Sequence, residues 1–148
     1  RCSRGSPPRR RTLPPRPRVP IAIATPPLTD ADMVRLYSES KIVLGFSSCG
    51  DTDRTGERIV QVRLRDMEVP MCGAFYITER FDELGECFTY GEEIEGYESP
   101  EELIDKCRFY LANPQAREKI QRAGLARARA EHTWQKRFSD FFATAGLA

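Results

Sequence analysis

The chain has 148 residues, 40% of them hydrophobic, and a formal net charge of +1, which describes one domain of ordinary size. The near-zero charge hides an asymmetry: residues 1–20 hold seven Arg and no acidic residue, leaving 16 basic against 22 acidic side chains, or −6, in the other 128, so the globular part has no bulk attraction for nucleic acid. No apolar run approaches the roughly 20 residues of a transmembrane segment, no apolar stretch follows Arg9–Arg11 as a signal peptide requires, and five scattered Cys with the single His132 exclude a structural zinc set.

The Cys pattern reads as small buried hydrophobes in a reducing, cytoplasmic setting. The chain does not begin with Met and reads as a fragment or a processed piece. Residues 1–27, with Pro7, Pro8, Pro14, Pro15, Pro17 and Pro20 among seven Arg, bury too little apolar surface to fold. They read as a disordered leader or linker; a nucleic-acid or SH3-type ligand arm is the functional alternative. Residues 28–148 form the folded domain.

Thr29 is a helix cap with Asp32 reaching back, and Met33, Leu36 and Tyr37 repeat at helical spacing. Lys41-Ile-Val-Leu-Gly-Phe46 is long enough for one buried strand. The polar loop Ser47–Gly56 follows. Its Asp51, Asp53, Thr55 and Gly56 match the start of a calcium loop, but Val62 stands where the closing Glu belongs. With Arg54 and free N–H groups, this loop either contacts a diphosphate or is simply solvated.

A helix is predicted over Ile59–Cys72, with Leu64, Met67 and Met71 on one face and Arg65, Glu68 and Cys72 on another. Pro70 kinks or ends it, and Gly73 supplies the left-handed closing residue. Arg65 and Glu68, three apart, share a face. A nucleotide diphosphate needs a cation for its phosphates and a carboxylate for its ribose, and this pair has both; an ordinary surface salt bridge uses the same residues.

Ala74–Thr78 is a second buried strand, an acidic turn lies near Phe81–Glu86, and Glu93–Tyr97 is a weaker third strand. Ser99, Pro100 and Glu102 mark a helix start by capping box, with Leu103, Cys107, Tyr110 and Leu111 as its buried stripe. Asn113-Pro114 ends that helix and starts the next, which carries Ile120 and Ala123 inward. His132 is a capping or core residue. Thr133 caps a last helix whose Trp134, Phe138, Phe141 and Phe142 read as core packing. Strands alternating with helices give a Rossmann-like α/β layer with parallel strands, and ligands bind at the carboxyl ends of such strands.

Arg63-Leu-Arg-Asp-Met-Glu-Val-Pro-Met-Cys-Gly73 followed by Ala-Phe-Tyr-Ile-Thr78 resembles the C-terminal domain of CgeB-like (spore maturation protein type) glycosyltransferases, within the GT-B group. The likeness continues through Phe88–Glu93, Tyr97–Leu103, Arg108–Pro114, Arg122–Gly124 and Glu131–Trp134, covering about residues 29–142. It implies the nucleotide-sugar-binding half of a GT-B enzyme, retaining and metal-independent, that takes a nucleotide-diphospho-sugar as donor substrate and needs no cofactor. It implies that Glu68 meets the ribose, that Arg65, with Arg54, meets the diphosphate, and that the backbone at Cys72 and Gly73 passes the nucleotide. Many relatives carry a further Glu eight positions before the ribose-binding one; here that position is Val60. The acceptor site and any general base belong to an N-terminal domain that this chain lacks, so turnover is not expected from it alone. The last helix of GT-B proteins crosses toward that domain, which implies that part of the aromatic stripe is exposed. The rival reading is a non-catalytic interaction module on the same fold. Another Rossmann-type nucleotide binder finds no support, because neither G-x-G-x-x-G nor a P-loop occurs.

Overall fold

The computed structural model describes residues 28–49 and 59–147. Within them the chain runs α1 (Asp30–Glu39), β1 (Val43–Leu44), β2 (Ser48–Cys49), β3 (Ile59–Val60), α2 (Leu64–Met71), β4 (Tyr76–Glu79), α3 (Asp82–Gly85), β5 (Glu95–Tyr97), α4 (Pro100–Ala112), α5 (Pro114–Glu131) and α6 (Trp134–Thr144).

The Rossmann-like reading holds. β1, β4 and β5 form a parallel sheet in that order, with Val43 opposite Tyr76 and Ile77 opposite Glu95. The central strand is buried on both faces. On one side Tyr76 joins Met67 and Val69 of α2, Leu84 of α3 and Ala128 of α5. On the other, Phe75 and Ile77 pack with Tyr97, Tyr110 of α4 and Ile120 of α5. A strand covered on both faces reads as a continuous apolar run rather than an alternation, as Ala74–Ile77 does.

Local signals hold where they are self-contained. Thr29 Oγ1 accepts from the N–H of Asp32, Ser99 Oγ from that of Glu102 and Thr133 Oγ1 from that of Lys136, all at 3.2 Å. Gly73 takes φ +71° and closes α2, and Asn113 separates α4 from α5.

Four expectations fail, each for a physical reason. Ile59–Val60 is not helical; the two residues pair antiparallel with Ser48–Cys49 as a hairpin, which suits two adjacent β-branched side chains. The helix starts instead at Leu64, where the Asp66 carboxyl reaches back to the N–H of Arg63 at 2.7 Å. Glu102 does not complete its box on Ser99, because its carboxylate accepts from the N–H of Glu98 at 2.8 Å and pairs with Lys106 at 2.7 Å. Leu111 is exposed; at about 100° per residue it lies about 80° round α4 from Leu103, beyond the arc of Cys107 and Tyr110. The aromatic stripe of α6 is not core: Trp134, Phe138, Phe141 and Phe142 are 44–62% exposed, and α6 buries no residue.

Candidate functional site

In parallel α/β sheets the strands end where ligands bind. Here those ends are Gly45–Ser48 after β1 and Thr78–Glu79 after β4, with the first turn of α2 beside them. The backbones meet closely: an added Cβ on Gly45 would land on the Tyr76 hydroxyl and on Thr78 Oγ1, so no larger residue fits at that position. Glu79 Oε2 accepts from the successive N–H groups of Ser47 at 2.6 Å and Ser48 at 2.7 Å. This carboxylate ties the end of β4 to the start of the hairpin.

Arg63 caps α2 and was not singled out from the sequence. Its Nη2 donates to the Ser48 carbonyl at 3.0 Å. Its Nε is buried with no hydrogen-bond partner among the described residues. Burying such a donor unpaired costs about 1–3 kcal/mol. The only sequence signal for Arg63 was its place at the head of the Arg63–Glu68 run.

The described residues expected to act together lie along α2 and the turn that closes it. Arg65 is exposed, on the turn of α2 nearest Tyr76, whose phenol feels its charge. Glu68 is half-buried and points into a groove of about 690 Å³ between α2 and α6, lined also by Leu64, Met67, Met71, His132 and Trp134. Cys72, one turn beyond Glu68, is half-buried; burial, with the Glu68 charge adding to it, raises its thiol pKa. A raised thiol is a poor nucleophile. Gly73 follows α2 at the amino end of β4. An added Cβ there would touch Leu125 of α5 at 3.6 Å, and Gln121 Nε2 donates to its carbonyl at 3.2 Å. Arg54 lies outside the described residues.

His132 fills a structural place. Its Nε2 meets the Cys87 carbonyl at 2.9 Å, and Arg137 Nη2 meets its Nδ1 at 3.1 Å. A carbonyl only accepts and a guanidinium only donates, so Nε2 is the donor and Nδ1 the acceptor. Its ring edge also packs on Phe88. A second hollow of about 590 Å³ lies beside α4. Its polar groups satisfy one another: Glu95 accepts from Lys106 at 3.0 Å, Tyr110 at 2.6 Å and the Gly96 N–H at 2.9 Å. No group of three or more His, Cys, Asp or Glu is placed to hold a metal among the described residues, and no helix there is long and apolar enough to cross a membrane.

The family model of glycosyl transferase-like domains matches residues 11–143, most of the chain and all of the sheet, hairpin and α2. The chain belongs to that family. No curated protein and no solved structure matches it. Membership assigns this glycosyl transferase-like domain to glycosyl transfer in general, and the parallel three-stranded sheet and the helices among the described residues are consistent with the Rossmann-like half of such an enzyme.

Proposed function

We propose that this domain binds the donor of a GT-B-type glycosyl transfer, a nucleotide-diphospho-sugar, at the carboxyl end of its sheet. The observation that carries the reading is the neighbourhood of α2. Its first turn, with Arg63 at the cap and Arg65 exposed just inside, abuts the loop after β1, and its next turn presents Glu68. The N–H groups of a helix start and a guanidinium suit a diphosphate. A half-buried carboxylate one turn away suits ribose hydroxyls.

In that role Arg65 stabilises the charge that develops on the leaving diphosphate as the bond from the sugar's anomeric carbon to the phosphate oxygen breaks and the electron pair passes to that oxygen. Arg54 serves the same anion. Glu68 accepts from the ribose and so fixes the nucleotide. Gly73 and Cys72, at the far end of α2, contribute through the helix they close. The acceptor and any general base come from a further domain, as in the CgeB-like proteins the sequence resembles.

The test is a magnesium-free calorimetric and thermal-shift titration of the chain with UDP, GDP, ADP and dTDP, beside Glu68→Ala. One nucleotide is expected to raise the melting temperature saturably; at 100 times Kd the stabilisation is about 2.7 kcal/mol. Glu68→Ala is expected to weaken binding about tenfold or more. No shift with any nucleotide, from a folded sample, sinks the reading.

A second reading is favoured by Val60. The position expected to hold a sugar-contacting Glu is half-buried and packs against the core cluster around Tyr76, so no carboxylate meets a donor sugar from there. A non-catalytic interaction module on the same fold is then the alternative, and the failed titration would leave it in front.

A further inference from the structure

Four polar side chains are buried at the carboxyl end of the sheet: Ser47, Asp66, Tyr76 and Thr78, each no more than 1% exposed. They lie in one line. Tyr76 OH meets Asp66 Oδ1 at 2.5 Å and Ser47 Oγ lies 3.3 Å from Thr78 Oγ1, while the Tyr76 hydroxyl and Thr78 Oγ1 are neighbours, both crowding the space beside Gly45. Each hydroxyl has one proton. Tyr76 gives its proton to the Asp66 carboxyl, and Ser47 and Thr78 share a hydrogen bond between their hydroxyls. Asp66 Oδ2 takes the N–H of Arg63, and Arg63 Nη2 reaches the carbonyl of Ser48, next to Ser47. Hydrogen bonds, the Tyr76–Thr78 proximity and the Ser47–Ser48 backbone thus make a ring of contacts through the loop after β1, the central strand and the first turn of α2.

Apolar residues of the same shape would fill this space at little or no loss of stability, whereas buried hydrogen bonds in a low-dielectric interior hold the groups they join in one arrangement. The ring's members run from the Ser47–Ser48 loop to the cap of α2, the two places that a diphosphate would bridge. We propose that this ring is the positioning device of the donor site. Tyr76 and Asp66 hold the first turn of α2, with Arg65 and Glu68, in register with the Ser47–Ser48 loop. Neither touches the ligand. The proposal rests on the donor-binding reading above.

The test uses the whole chain and the nucleotide diphosphate that binds the wild type. Tyr76→Phe and Thr78→Val each break one link while keeping shape. Tyr90→Phe is the control, since the Tyr90 hydroxyl bonds the backbone of Phe81, away from the ring. Both ring variants are expected to weaken Kd about tenfold and to speed amide exchange at Ser47, Ser48 and residues 63–67. Tyr90→Phe should do neither, even where its melting temperature falls as far. An unchanged Kd in either folded ring variant, or an equal loss in Tyr90→Phe, overturns the proposal. So does loss of folding in both variants, which would make the ring a folding element. A wild type that binds no nucleotide sinks the donor reading itself and this inference with it, before any variant is compared.

Discussion

Gly124 sits in the middle of α5, where helix propensity alone favours Ala by about 1 kcal/mol. The backbone of Glu93 occupies the space: an added Cβ would lie on the Glu93 carbonyl oxygen, with Pro70 Cβ at 3.6 Å. Gly124→Ala is therefore expected to destabilise, by about 1–3 kcal/mol, and a denaturant midpoint no lower than wild type would refute it. What was legible at this scale was what a few neighbouring residues decide. Thr29, Ser99 and Thr133 were read as caps because a cap and its target lie three residues apart. Asp66 passed unnoticed because its second partner, Tyr76, is ten residues away on another element. Arg63 was missed for the same reason, since its acceptor Ser48 is fifteen residues back. Glu68 and Arg65 could be named only as a pair of types at a spacing. That one faces the groove and the other the sheet end depends on packing between elements, which spacing does not encode.

Element boundaries show the same limit. The helix expected from Ile59 began five residues later, because hairpin pairing with Ser48–Cys49 outweighed the helical periodicity of Leu64, Met67 and Met71. The sheet was legible mainly through β4, whose apolar run Ala74–Ile77 needs cover on both faces; β1 leaves Leu44 exposed and β5 is no apolar run. α4 carries a prediction of its own. Hydrogen bonding to Lys106 first, then to the N–H of Glu98, holds the Glu102 pKa below its ordinary value. A folded-state pKa below the unfolded one gives stability that is present above the unfolded pKa and lost as pH falls through the folded value. Wild type should therefore be more stable than Glu102→Gln at pH 7, with the gap closing below about pH 4. Melting curves of the two proteins across that range measure it. The effect will be modest, since Glu102 is solvent-accessible and screened.

Three tyrosines spread over the molecule share one tendency. Burial first, then hydrogen bonding to a carboxylate, raises Tyr76 and Tyr110 well above the ordinary phenol value, and burial raises Tyr90. A raised folded-state pKa means stability that is full below the unfolded value and lost as pH climbs past it. The chain should thus unfold cooperatively above about pH 10, with these three phenols ionising only as it does; absorbance at 295 nm that reports more than two of the five tyrosines ionised in advance of the loss of ellipticity would contradict this. Phe75 and Phe141 offer a comparison at the same scale. Phe75 is fully buried and Phe141 is 62% exposed, so Phe75→Ala should cost about 3–5 kcal/mol and Phe141→Gln less than about 0.5. The sequence announced that one face of α6 was apolar, but amphipathicity reports only that a face favours cover, not that the same chain supplies it.

The attachment of α6 has a practical consequence. The helix meets the rest through Arg137, which reaches Met67, Cys87 and His132, and through Trp134 at the edge of the α2 groove, while Phe138, Phe141 and Phe142 are exposed. Detaching it sacrifices almost no core. A protease that cuts beyond Thr133, leaving His132 in place, should release a shorter body that melts at nearly the same temperature and concentrates further before precipitating, so that in this chain the most oily segment is the one whose removal improves handling.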